Sequence, residues 1–448
     1  MKTTPLILAA GKGTRMKSDL PKVLHPLLGK PLVQHALGAA SGVTAEQPVL
    51  VIGHQADRIR KTIGDQVRYV VQEEQLGTGH AVQQAEELLQ GKTDQVLVTN
   101  ADMPLIRSET LQALVRAQED HDGPFSMLSV EFEDPRGFGR VIRGKEGHVQ
   151  AVVEEVDATP EELEVKELNA SMYCFSADWL WKALRKIELS PKGEYYLTDL
   201  VAIAAMEGRS VQAIKATDPE ELIGVNTRVH LSEAARILQQ RINEAWMKAG
   251  VSMPDPRTVY IEEEVEIGRD TVILPNSHLQ GETVVGEGCV IGPNSVVFAS
   301  EIGDCCHIKA SVVEQALLEN DVAIGPFGHL RRGAHLGEGV HLGNFGEVKN
   351  SYLGPETKMG HFSYLGHARV GRGVNIGAGT ITCNYDGKEK HQTVIGEGAF
   401  IGSDTMLVAP VELGKGARTG AGAVVTRDVS PGALAVGVPA REINREEG

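Results

Sequence analysis

At 448 residues with a formal net charge of −16, the chain is long enough for two or three domains and too acidic to bind nucleic acid over its whole surface. An odd set of five cysteines without a CxxC spacing (Cys174, Cys289, Cys305, Cys306 and Cys383) argues against a disulfide framework or a zinc site and for a reducing cytosol. No signal segment and no apolar run of bilayer length are read, so the expectation is a cytoplasmic protein without membrane insertion. An acidic chain that binds phosphates must concentrate its cations locally, beside glycines.

Up to about residue 225, short apolar runs alternate with amphipathic stretches. The runs Leu6–Ala10, Val49–Ile52, Val67–Val71, Val96–Thr99 and Phe125–Val130 read as strands; His80–Gln90 and Glu109–Gln118 read as helices. This order predicts a mostly parallel sheet covered by helices, with ligands at the carboxyl ends of its strands. Directly after the first strand lies Gly11-Lys12-Gly13-Thr14-Arg15, with Lys22 close behind. Glycines let backbone N–H groups approach a phosphate while the cations supply charge. The third glycine of GxGxxG would fall at Met16, and the P-loop spacing is absent, so the segment by itself supports only a phosphate site or a strand-to-helix turn. Asp102 follows the fourth strand, where it could hold a metal or cap a helix.

One helix is predicted over 229–249, where Leu231, Ala235, Leu238, Ile242, Ala245 and Trp246 make a single apolar stripe that stops at Gly250. It divides the chain into 1–228, a connector 229–249, and 250–448. Beyond it the period becomes six. Ile267, Ile273, Leu279, Val285, Ile291 and Val297 form one run, and Leu318 through Val348 a second. Leu353, Met359 and Leu365, then Val370 and Ile376, and finally Ile395 through Val425 continue it. Such hexads predict a parallel β-helix with the aliphatic residues inward. The register breaks between Ile376 and Ile395, so Thr382–His391 is expected to leave the coil as a loop of the kind that binds ligands. His329, His335 and His341 recur at hexad spacing and read as a stacked exterior or edge position.

The stretch Leu8-Ala-Ala-Gly-Lys-Gly-Thr-Arg-Met16 with Pro21-Lys22 resembles the start of nucleoside-diphosphate-sugar pyrophosphorylases. Together with Gln72–Gly79, Gly137–Arg140, Glu194–Asp199, Gly224–Asn226, Gly360–Tyr364, Asn375–Gly387 and Gly402–Asp404, the whole chain is similar to the bacterial bifunctional N-acetylglucosamine-1-phosphate uridyltransferase / glucosamine-1-phosphate N-acetyltransferase family. That resemblance implies an α/β fold: a Rossmann-like nucleotidyltransferase domain, the connector helix, and a left-handed parallel β-helix of hexapeptide repeats. It further implies a homotrimer, Mg²⁺, and UTP and acetyl-CoA as co-substrates with glucosamine 1-phosphate and N-acetylglucosamine 1-phosphate.

For uridylyl transfer, the resemblance assigns Asp102 and Asn226 to the metal, and Arg15 and Lys22 to the triphosphate. Leu8, Ala9, Ala10 and Gly11 become the nucleotide cradle, and Gln72, Gly77 and Thr78 the uracil contacts. Asn100 and Ala101 also face the nucleotide sugar; alanine stands where the family has glycine. Gly139, Glu154 and Asn169 contact the sugar. For acetyl transfer it assigns His361 as proton acceptor and Arg331 and Lys349 to the sugar phosphate. Tyr364, Asn375, Asn384 and Tyr385 line the amino-sugar pocket, the last two also counting with Ala378, Ser403 and Ala421 toward acetyl-CoA. Where some relatives carry a basic residue for the cofactor phosphates this chain has Gly437, with Arg441 as a substitute. The alternative is a single-activity sugar nucleotidyltransferase whose β-helix only oligomerises or regulates; a non-catalytic scaffold is the third reading. Intact Lys22, Asp102 and Asn226 argue against the scaffold, and His361 with the Asn384–Tyr385 loop against the single activity.

Overall fold

A computed structural model describes residues 1–132, 135, 137–144 and 147–443. The chain divides into two compact units, 1–238 and 239–448, and the helix Arg228–Lys248 runs through the boundary.

In the first unit, the predicted strands are present as Thr3–Leu8, Val49–Ile52, Arg68–Val71, Gln95–Asn100 and Phe125–Glu131. They join a nine-stranded sheet in which Thr3–Leu8 is paired in parallel on both sides. One strand departs from expectation. Glu167–Ser176 runs antiparallel between Gln95–Asn100 and Phe125–Glu131, so the sheet is mixed. Its register slips between Asn169 and Tyr173, where Ser171 adopts a left-handed φ of 55°. Such a bulge re-aims side chains beside a site. A hairpin of Arg140–Arg143 and Val149–Val153 attaches to the same strand. The expected helix over 80–90 is two short ones, Thr78–Gln83 and Glu86–Leu89.

The second unit is a three-sided coil. Each turn contributes one short strand to each of three parallel sheets, and partners lie sixteen to eighteen residues apart in most coils. The hexad residues from Ile267 to Val425 are buried inside it. Because six residues advance one face, His329, His335 and His341 fall on three different sheets and do not stack on one another. His329 and His335 instead meet Glu314 and Glu319. The loop begins later than expected. Thr382 and Cys383 stay in the coil, since Thr382 takes the inward position, receives the Gly366 N–H at 2.7 Å and donates to the Gly366 carbonyl at 3.1 Å. No helix among the described residues is long and apolar enough to cross a membrane.

Candidate functional site

In the first unit, Leu8 and Asn100 are register partners at the carboxyl edge of adjacent parallel strands. The Ala9 N–H reaches the Val51 carbonyl at 2.8 Å and the Ala101 N–H the Leu8 carbonyl at 3.0 Å, so both loops leave the sheet side by side. They border a cleft of about 520 Å³. Leu8, Ala9, Ala10, Gly11, Lys22, Gln72, Gly77, Thr78, Asn100, Asp102 and Glu154 all line it. A Cβ built on Gly11 would meet nothing within 4 Å, which leaves the backbone there open to an approaching phosphate. Gly77 has φ 97° and a Cβ there would lie 2.6 Å from the Tyr195 carbonyl, so no larger residue fits without displacing the backbone. The Gln72 amide donates to the Gly77 carbonyl at 3.1 Å, joining two of the residues assigned to the uracil. Thr78 is partly committed, because its hydroxyl accepts the Leu197 N–H at 3.1 Å.

The cation-binding part of the cleft is built around Lys22. Its ammonium sits 2.5 Å from Asp102 Oδ2 and donates to Asn226 Oδ1 at 3.0 Å, with the Lys22 and Asp102 side chains 13% and 21% exposed. The Val225 N–H bonds the Asp102 carbonyl at 2.8 Å and fixes the segment carrying Asn226. Two hard oxygens thus converge on one positive charge, and the ammonium stands in for a cation between them. That donor set fits Mg²⁺, which takes few protein carboxylates and completes its shell with water and substrate phosphate. Among the described residues no group of three or more His, Cys, Asp or Glu gathers for a metal, so this would be a site of that sparse kind.

Five sequence-assigned residues do not line the cleft. Arg15 is exposed on the turn Thr14–Met16, and Ala101 is fully buried. Asn226 accepts from the Lys22 ammonium, and Gly139 lies close to Glu154. Asn169 is 2% exposed, with both ends of its amide used inside the protein. Conversely, Ser171, Tyr173 and Tyr196–Thr198 line the cleft without having been singled out. The last three belong to the Glu194–Asp199 motif, which carried the resemblance without an assigned role. Glu154 accepts from the Thr198 hydroxyl at 3.1 Å. Burial raises its pKa above the usual carboxylate value, with the nearby Asp157, Asp199 and Glu194 adding to the rise.

On the β-helix, His361 lies at the corner between the strands Lys358–Met359 and Ser363–Gly366. Ala378, Ser403 and Ala421 occupy the same corner in the following coils, flanked by strands of the same two sheets. Successive coils are spaced by about 4.8 Å, the distance between paired strands. Backbone bonds climb this edge: Gly379 N–H to Phe362 C=O at 2.7 Å, Asp404 N–H to Ala378 C=O at 2.6 Å, and Gly422 N–H to Ser403 C=O at 2.8 Å. His361 is exposed, so its ring is open to a ligand lying along the corner.

One of the two sheets carries the assigned cations. Lys349 pairs with Gly366 and Glu347 with Tyr364, while Arg331 binds Glu347 at 2.9 Å. A Cβ on Gly366 would lie within contact of both the Tyr364 hydroxyl and the Asn384 amide, so these two side chains converge over that glycine. Asn384 Nδ2 donates to His367 Nδ1 at 2.9 Å, which requires that nitrogen to be unprotonated. Burial, then Lys390 and Lys349, lowers the His367 pKa and favours this neutral ring. His367 had no sequence signal, being one histidine among 15. Tyr385 is exposed on the loop, whose turn is held by Asp386 accepting the Lys388 and Glu389 N–H groups and meeting His391 at 2.7 Å. Asn375 is not brought to this flank; it pairs with Lys358 and Phe400 on the other sheet. Gly437 faces Ala440 across the turn of a hairpin with φ 94°, a conformation that disfavours a side chain. Arg441 is exposed on the returning strand and donates to the Ala440 carbonyl at 2.9 Å.

Residues 5–192 match the model of the MobA-like NTP transferase domain, and residues 264–299 and 392–427 match the bacterial transferase hexapeptide repeat. The chain is 47% identical over 436 residues to a protein of Heliobacterium modesticaldum named bifunctional protein GlmU, covering 97% of this chain and 95% of that one. Proteins of the same name from Pelobacter propionicus and an Exiguobacterium strain are 46% and 45% identical. They cover 98% and 100% of this chain and 96% and 99% of their own lengths.

Proposed function

The chain belongs to the family of bifunctional GlmU proteins, and from that premise we propose how its two halves divide the work. The enzyme serves the synthesis of UDP-N-acetylglucosamine by acetyl transfer and uridylyl transfer. Its fold joins a nucleotidyltransferase domain to a left-handed hexapeptide β-helix. In the proposed division, residues 1–228 carry uridylyl transfer, 229–249 connect, and 250–448 carry acetyl transfer from acetyl-CoA to glucosamine 1-phosphate.

Within the cleft, the backbone of Leu8–Gly11 cradles the phosphates of UTP while Gln72 and Gly77 read the uracil edge. Lys22 meets the negative charge that grows as the sugar-phosphate oxygen attacks the α-phosphorus and pyrophosphate departs. Asp102 and Asn226 would hold Mg²⁺, which when bound offsets phosphate charge. Glu154 contacts the sugar. Arg15, exposed on the turn Thr14–Met16, adds positive charge for the triphosphate. The convergence of Lys22, Asp102 and Asn226 beside the open Gly11 backbone is the observation that carries this half of the reading.

At the β-helix corner, His361 accepts the proton of the glucosamine amine as its nitrogen attacks the thioester carbonyl; imidazole is the side chain whose ordinary pKa suits this exchange near neutrality. Arg331 and Lys349 hold the sugar phosphate, and Tyr364, Asn384 and Tyr385 the amino sugar. Acetyl-CoA runs along Ala378, Ser403 and Ala421. Asn375 lies on the other sheet in the same chain, which supports a site completed against a neighbouring subunit and hence the homotrimer. Five free cysteines accord with a cytoplasmic setting.

Purified enzyme given glucosamine 1-phosphate, acetyl-CoA, UTP and Mg²⁺ is expected to form UDP-N-acetylglucosamine. Omission of Mg²⁺ should stop pyrophosphate release and leave acetyl transfer running. Metal-independent pyrophosphate release would refute the role given to Asp102 and Asn226.

A further inference from the structure

The loop that carries Tyr385 on the β-helix rests at both ends on one residue of the coil before it. His367 turns the corner between the strands Ser363–Gly366 and Ala368–Val370 with a left-handed φ of 53°. Its N–H is held by the Lys349 carbonyl of the preceding coil at 3.2 Å. Where the loop leaves the coil, Asn384 Nδ2 donates to His367 Nδ1 at 2.9 Å. Where it returns, the Thr393 N–H reaches the His367 carbonyl at 3.1 Å. Asn384 also closes the loop, its own carbonyl accepting the His391 N–H at 2.8 Å. With Nδ1 unprotonated, a neutral ring carries its proton on Nε2, which faces the Asn350 side-chain amide at 3.5 Å. Burial, then Lys390 on the loop and Lys349 in the coil before, holds the His367 pKa below the usual histidine value. Of the other titratable groups nearby, His391 on the loop is engaged by Asp386 at 2.7 Å, and Tyr364 on the preceding strand converges with Asn384 over Gly366.

We infer that His367 is a positioning residue for acetyl transfer, whose neutral ring fixes the Asn384 amide so that Oδ1 is the end left for the amino sugar. The inference rests on the reading of this loop as part of the amino-sugar site. An amine or hydroxyl of glucosamine 1-phosphate can donate to Oδ1, and the bond from Nδ2 to the ring keeps the amide from turning over. A protonated ring reverses the demand. It offers N–H at Nδ1, only Oδ1 can accept it, and the amide must then turn its NH₂ toward the ligand. Binding of the amino sugar should therefore weaken as pH falls through the His367 pKa. This role is separate from that of His361, which lies at the other end of the strand Ser363–Gly366 and takes the proton in the chemical step.

The test is steady-state acetyl transfer by full-length variants from about pH 8 to about pH 5, a range that spans histidine titration. Thermal unfolding of each preparation checks that the chain is intact. His367→Ala should raise the KM for glucosamine 1-phosphate about tenfold near neutral pH, as for loss of one hydrogen bond, with kcat little changed. His367→Asn is the conservative rescue. Its Oδ1 stands where Nδ1 stood and accepts without titrating, and asparagine adopts a left-handed φ readily. Its KM should match the wild type near neutrality. In acid the wild-type KM should exceed that of His367→Asn by up to about tenfold, a ratio from which the ionisation of the substrate cancels. A ratio that stays at one across the range, or a His367→Ala KM equal to the wild type beside an impaired Asn384→Ala, would overturn the inference. If Asn384→Ala also leaves that KM unchanged, the loop is not part of the amino-sugar site and the underlying reading falls with it.

Discussion

The two candidate sites are built in opposite ways. The N-terminal cleft gathers the Gly11 backbone, Asp102 and Glu154 inside one chain, around a lysine whose side chain is only 13% exposed. The β-helix site is spread along an open corner and its flank, with His361, Ser403, Ala421 and Tyr385 all exposed. A parallel sheet with loops at its carboxyl edge makes a crevice by itself. A coil of short strands makes flat faces and straight edges, so it can enclose a substrate only by meeting a second surface. The contrast predicts one site that works in each chain alone and one that depends on assembly.

The sharpest way to break that contrast is to disable each site separately. His361→Ala should lower acetyl transfer by about a thousandfold, within the usual range for a general base, and leave uridylyl transfer intact. Coupled assays of both half-reactions on one preparation check this. Lys22→Met should do the reverse, with uridylyl kcat falling by about a hundredfold or more through loss of charge stabilisation. A smaller effect probes the role of assembly. Dilution followed by gel filtration and activity assay should show acetyl transfer per chain falling as the assembly dissociates, while uridylyl transfer per chain holds steady; a parallel fall of both would remove the contrast.

The smallest effect concerns Glu154. Its native pKa is raised, so its ionised form opposes folding. The cost is absent below the ordinary carboxylate pKa, grows as pH rises through the window up to the raised native value, and is complete above it. Glu154→Gln should therefore stabilise the first unit near neutral pH by up to about 1 kcal/mol, with the gain vanishing in acid. Thermal unfolding at several pH values measures it, and a gain that grows toward acid would contradict the sign.

What the sequence disclosed followed the same division. Hexads carry their geometry in plain view, because every inward aliphatic recurs at fixed spacing, and Ile267 through Val425 are buried accordingly. A polar residue at an inward position was read where the run continued on both sides, as at Thr419, and was missed where a loop followed. Thr382 read as the start of a loop because its hydroxyl, not a methyl stripe, fills the core there. In the first unit, the strand Glu167–Ser176 escaped notice because its bulge and its polar Asn169 and Ser171 break the period-two alternation. The assigned cleft residues were legible largely through resemblance, and resemblance names positions without saying which of them face the ligand. Asn169 and Tyr173 are equally buried, yet only Tyr173 lines the cleft, and no one-dimensional pattern contains that difference. His367 beside Asn384 was equally invisible, since the two meet through the stacking of coils.

The central claim is that two separate sites on one chain act in sequence, acetyl transfer first. Complementation tests it most directly. His361→Ala and Lys22→Met, each unable alone to turn glucosamine 1-phosphate, acetyl-CoA and UTP into UDP-N-acetylglucosamine, are mixed in the presence of Mg²⁺. The account predicts that the mixture makes the product, because acetylated sugar phosphate released by Lys22→Met is consumed by His361→Ala. A mixture as inactive as its two components would contradict it.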